Sequence, residues 1–121
     1  MLIAIPTTGE SPDSTLDPRF GRAQMFAIVD SETGKITEVL SNPNTGAGGG
    51  VGISTSQMLA NRGVKAVIAG AVGPNAFSVL QAAGIAVYSS AGISSVREAI
   101  DSFKAGKLQA IEGPGAAGRY K

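Results

Sequence analysis

Residues 66–84 read AVIAGAVGPNAFSVLQAAG, and this stretch decides the fold. Ala66–Ala69 is a short apolar run of the kind a buried strand shows. Gly73-Pro74-Asn75 then opens a helix: Pro74 at the first helical position lacks an N–H that would have no partner there, and its φ is already helical. Phe77 and Leu80 face inward, and Gly84 ends the helix. Ile85–Tyr88 follows as another apolar strand. Two strands joined through a helix are parallel neighbours, which predicts an α/β fold.

The reading extends in both directions. Downstream, Ser95 and Glu98 form a capping box, and Val96, Ala99, Ile100 and Phe103 fall at i, i+3, i+4 and i+7 before Gly106 closes the helix. Upstream, Val51–Arg62 is helical, with Gly63 as its stop and Arg62 complementing the dipole. Further back, Leu2–Pro6 reads as a buried strand closed by Pro6. Phe26–Asp30 and Ile36–Leu40 form a hairpin, with Gly34 placed as in a bulged connection. The order β-β-β-α-β-α-β-α predicts a mixed five-stranded sheet, order 3-2-1-4-5, with three helices on its faces. That is the strand order of ribonuclease-H-like folds. With 121 residues, the chain is expected to form a single α/β domain over residues 1–112, followed by a flexible tail over 113–121.

Composition excludes several kinds of chemistry. The chain has no Cys and no His, so disulfides, thiolate-bound zinc or iron–sulfur centres and a Ser–His–Asp triad are all ruled out. A metal would need carboxylates, backbone, or ligands it brings with it. A net charge of +1 gives no reason for nonspecific attraction to nucleic acid or membranes. The start, MLIAIP, lacks the charged and long apolar regions of a signal peptide, and a cytoplasmic protein is expected.

In an open α/β sheet, ligands bind beyond the carboxyl ends of the parallel strands, where strand order reverses. Three loops should meet there: Thr7–Arg22, Asn42–Gly50 and Gly70–Asn75. Two of them lead into helix N-termini, which attract anions. Arg19 and Arg22 add positive charge and donors, and Gly48, Gly49 and Gly50 allow close backbone approach. Judged alone, each feature has a plainer reading. The glycine run equally suits a linker and fits neither a dinucleotide fingerprint nor a P-loop. The two arginines equally suit a solvated surface, and Phe20 suits a core plug better than a stacking platform. Asp13 and Asp17 suggest a hard cation, but Asp17 before Pro18 reads more readily as a turn residue. A two-metal nuclease needs clustered carboxylates, and neither the first strand nor the Ala66–Ala69 strand carries one.

Taken together, Asp17-Pro18-Arg19-Phe20-Gly21-Arg22-Ala23, Asp30, Asn42 with the glycine run, and Gly70-Ala71-Val72-Gly73-Pro74-Asn75-Ala76-Phe77 resemble the nitrogenase iron–molybdenum cofactor biosynthesis family over residues 1 to about 105. The resemblance implies a ribonuclease-H-like fold and the binding or carriage of metal–sulfur clusters. Members that anchor clusters often use His or Cys, which this chain lacks. It therefore fits better the orange-protein branch, associated with a molybdenum–copper sulfide cluster held noncovalently. On that reading Arg19 and Arg22 supply charge, Gly48–Gly50 and Asn75 belong to the cofactor-binding loops, and Phe20, Val72 and Phe77 supply apolar surface. No residue is expected to ligate metal or to be catalytic. Two other readings compete: a regulatory module binding a protein such as a P-loop ATPase, and an enzyme on a phosphorylated substrate. The second lacks an evident general base in the loops.

Overall fold

In the computed structural model, residues 1–43, 51–111 and 115–116 are described. Strand β1 (Leu2–Thr7) lies between β2 (Met25–Asp30), antiparallel to it, and β4 (Val64–Ala69), parallel to it. β3 (Lys35–Ser41) completes the hairpin, and β6 (Ala86–Ser89) pairs parallel with β4. The sheet order is β3-β2-β1-β4-β6, so the expected 3-2-1-4-5 arrangement is the one adopted. The label of the last strand shifts only because two residues, β5 (Ala71–Val72), pair separately with β7 (Gly115–Ala116). The rest of the 113–121 tail lies outside the described residues, as does the glycine run 46–50.

Side chains alternate across the sheet and feed two apolar layers. Ala4, Phe26, Ile28 and Val67 face one way, where α1 (Val51–Asn61) and α2 (Pro74–Ala82) cover them with Leu59, Ala76, Phe77 and Leu80. Ile3, Ile5, Ala27, Val29, Ala66 and Ile68 face the other way, where α3 (Val96–Lys104) covers them with Val96, Ala99 and Ile100, and the loop residues Leu16, Ile93 and Leu108 pack at the edges. Two helices thus cover one face and one helix the other.

Local chemistry explains the boundaries. At the end of α2, Ile85 N–H donates to Leu80 O and Gly84 N–H to Gln81 O, with Gly84 at φ +75°. This is a Schellman closure, which satisfies the last carbonyls and needs the left-handed backbone that glycine adopts freely. At the start of α3, Ser95 accepts from Glu98 N–H, while Glu98 reaches one residue past the cap to accept from Ser94 N–H and Ser94 Oγ–H. Those two bonds, backbone first, hold the Glu98 carboxyl below its ordinary range. The hairpin carries its bulge inside β3: Ile28 pairs Glu38 but Val29 pairs Ile36, leaving Thr37 to donate its hydroxyl to Ile28 O. β1 runs through Pro6 to Thr7 rather than ending at Pro6. Its pairing with β4 covers Leu2, Ile3 and Ala4, so the missing Pro6 N–H falls past the last parallel pair. Among the described residues no helix is long and apolar enough to cross a membrane.

Candidate functional site

The site is built where β1 and β4 part company. Beyond Ala4 the gap is filled by the loop 8–24, which pairs with β1 through Thr7 and Leu16 and sends Asp17 N–H to Pro6 O at 3.0 Å. The same loop ties into both helical layers. On the α3 side, Val96 N–H donates to Ser14 O and Arg97 N–H to Pro12 O, so the loop satisfies two amides of that helix terminus. On the α1 side, buried Thr55 donates its hydroxyl to Gly21 O at 2.8 Å, and Asn42 Nδ2 donates to Gly21 O and to Ala23 O at 3.0 and 2.8 Å. A loop of this length is thus pinned at both ends of its functional stretch, and it presents Arg19–Arg22 from a fixed frame.

Asp17 organises that frame. It is 3% exposed, and its two carboxylate oxygens accept four hydrogen bonds. Two come from Arg19 Nε and Nη2, both at 3.1 Å, and two from the backbone N–H groups of Arg19 and Gln24 at 3.0 and 3.3 Å. Burial alone would raise the Asp17 pKa. The Arg19 side chain, then the Arg19 and Gln24 amides, and finally the Arg19 charge outweigh it and hold the carboxyl below its ordinary range. The Arg19 side chain remains 57% exposed, locked on one edge to a buried anion. Its Nη1 makes no hydrogen bond among the described residues. A bidentate guanidinium–carboxylate pair fixes direction as well as distance.

The third loop meets the first at Gly70, just past β4. A Cβ there would lie 3.4 Å from Pro18 O and 3.5 Å from Ser90 Oγ, so the loops after β1, β4 and β6 converge within contact distance. Behind them α1 and α2 approach closely at their N-terminal ends. A Cβ on Gly52 would stand 3.0 Å from Ala76 Cβ, and Ser56 Oγ–H donates to Gly52 O at 2.7 Å. The α2 cap is Gly73 in extended conformation with no side-chain cap bond, and Pro74 follows it. Asn75 is exposed on that first turn.

The residues expected in the site thus divide by depth. Arg19 and Arg22 are exposed on the loop 8–24, and Asn75 is exposed on the first turn of α2. Phe20, Val72 and Phe77 sit together beneath them in the core layer under α1 and α2, with Phe20 edge-on to Phe26 at 5.7 Å. They form the floor's support rather than an open wall. Gly48, Gly49 and Gly50 lie outside the described residues. Asp13 and Asp17 are not brought together, since Asp17 turns inward to Arg19 while Asp13 pairs with Arg97 at 3.1 Å. No group of three or more His, Cys, Asp or Glu side chains able to hold a metal occurs among the described residues. Sequence reasoning missed Thr55 as a support and saw Asp17 as a turn residue. The available signal was polar Thr55 four residues before buried Leu59 on one helical face.

These features define a small α/β domain with a pinned arginine loop at the switch point of its sheet. The chain belongs to the dinitrogenase iron-molybdenum cofactor family, whose model matches residues 1–106. It is 39% identical over 114 residues to an uncharacterized protein of Methanocaldococcus jannaschii, covering 93% of this chain and 92% of that one. Among solved structures it is similar to the apo form of the orange protein from Desulfovibrio gigas. The TM-score there is 0.86 and the identity 38%, over 93% of this chain and 94% of the other. It is also similar to a provisionally named NifB protein from Thermotoga, with a TM-score of 0.75 and 41% identity over 90% and 91% of the two chains.

Proposed function

We propose that this protein carries or stores an anionic metal–sulfide cluster, held without protein–metal bonds, and is a carrier rather than an enzyme. The observation that carries the reading is the Asp17–Arg19 pair: a buried carboxylate fixes an exposed guanidinium at the mouth of converging loops. The chain as a whole has neither Cys nor His, so the donor chemistry suits a cargo whose metals are already saturated with sulfide. Such a cargo needs N–H donors and positive charge. Arg19 Nη1, the Arg22 side chain and the Gly73-capped start of α2 lie on the loops that would supply them.

The family and the likeness to the orange protein support a cluster-related role. The resemblance drawn from the motifs narrows the cargo to a molybdenum–sulfide cluster, of the molybdenum–copper type in the orange-protein branch. A P-loop ATPase is the partner class that the same resemblance implies. Protein isolated without oxygen, then offered tetrathiomolybdate and copper, should acquire stoichiometric metal and visible sulfide-to-metal absorption. A metal-free, colourless product after both isolation and reconstitution would overturn the proposal.

A further inference from the structure

The chain after α3 is tied to the fold twice. Its first tie covers the outer edge of β6: Ser89 N–H donates to Gln109 O at 2.8 Å, Tyr88 bridges Ala110, and Ile111 N–H donates to Val87 O at 2.7 Å. Ile111 is buried in the layer under α1 and α2, so apolar burial adds to the backbone bonds. The second tie lies further on, where β7 pairs with β5 on the loop that follows β4.

The second pairing aims the chain. β5 and β7 are antiparallel, with Val72 opposite Gly115 and Ala71 opposite Ala116. Each step forward along β7 is therefore a step back along β5, and the chain leaves Ala116 heading toward Gly70. Gly70 is where the loops converge: a Cβ there would lie 3.4 Å from the carbonyl oxygen of Pro18, the neighbour of Arg19, and 3.5 Å from Ser90 Oγ. The residues that come next, Ala117-Gly118-Arg119-Tyr120-Lys121, lie outside the described residues. At roughly 3.3–3.6 Å per extended residue, the backbone of Arg119 can stand about 10 Å beyond Ala116, which spans the mouth of the loops.

Charge gives this segment a role there. Between Ala66 and Val96 the sequence has no Asp, Glu, Lys or Arg, so the loops after β4 and β6, and all of α2, bring no ionised side chain to the mouth. Among the described residues its positive charge comes from one side, the loop 8–24 with Arg19 and Arg22. Arg119 and Lys121 follow the last acidic residue, Glu112, so no carboxylate side chain in their own segment offsets them. Exposed like charges repel weakly in water and salt screens them, so Arg19 does not bar their approach. We propose that residues 117–121 form a second wall of the cargo site, aimed by the β5–β7 pairing, with Arg119 meeting a bound anion from the uncharged β4 side. The role of Arg119 rests on the cluster reading, whereas the placement of the segment does not.

Two measurements on the full chain separate placement from role. Without cargo, Tyr120→Leu removes one aromatic ring, whose effect on amide NMR shifts reaches only near neighbours. The amides of Gly70 and of Arg19–Arg22 should move, while core peaks keep their wild-type positions. Shifts confined to residues 115–121 would overturn the placement. With tetrathiomolybdate and copper loaded anaerobically, Arg119→Gln should release metal about threefold faster than wild type at low salt, the scale of one exposed ionic contact. The difference should vanish at high salt. Equal release at low salt would overturn the role of Arg119. A wild type that takes up no metal, with the Tyr120→Leu shifts present, would overturn the cluster reading and that role together and leave the placement standing.

Discussion

Asp17 shows how one buried carboxylate serves both stability and the proposed function. Its four bonds hold the Arg19 guanidinium and two backbone amides at once. Asp17→Ala leaves the amides of Arg19 and Gln24 without their acceptor, and a cost of about 2 kcal/mol is expected from such unsatisfied groups, read by urea unfolding. The acid dependence follows from the direction of its pKa. In the folded chain the carboxyl titrates below its ordinary value of 3.8, so its stabilisation is complete above that value and fades as pH falls through the folded one. The melting-temperature gap between wild type and Asp17→Asn should therefore stay constant from neutral pH to about pH 5 and close toward about pH 2. A gap that widened on acidification would reverse the assignment. Thr55 and Asn42 act differently: they carry no charge, and they hold the loop through Gly21 O at any pH.

The junction of α1 and α2 sets where the loops can meet. Gly52 faces Ala76 so closely that a Cβ would stand 3.0 Å from the alanine methyl, tighter than ordinary packing. Gly52→Val must separate the two helices or strain both, and overpacking of this kind costs about 1–3 kcal/mol. Thermal unfolding checks the cost, and a variant at least as stable as wild type would show that the junction yields freely. The elements themselves were largely legible from sequence. Pro74 and Gly84 bracket α2, Ser95 and Gly106 bracket α3, and each boundary is a local rule written within a few residues. The displaced bulge at Thr37 and the continuation of β1 through Pro6 were not legible. Both depend on what the neighbouring strand does, and sequence periodicity does not record that. The site is less legible for the same reason. The Thr55 bond to Gly21 spans 34 residues and the Asn42 bond to the same carbonyl spans 21, so no local pattern announces them.

At the scale of the molecule, the sheet separates two faces and two kinds of surface. One end gathers a pinned, arginine-bearing loop between the helical layers, and the opposite face is covered by α3 alone among the helices. With nearly balanced charges, net +1, the molecule exerts little long-range pull. Retention of the proposed anionic cargo would then depend on the few positive groups at the site, which salt screens: the Debye length falls from about 10 Å at 0.1 M to about 3 Å at 1 M. The measurement that reaches this claim most directly is anaerobic gel filtration of protein loaded with tetrathiomolybdate and copper, run at low and at high salt, beside Arg19→Glu. Wild type should emerge coloured at low salt, lose most of its metal at high salt, and exceed Arg19→Glu in metal content. Colourless wild type at low salt, or metal retained equally at both salts and in Arg19→Glu, would contradict noncovalent capture by the arginine loop.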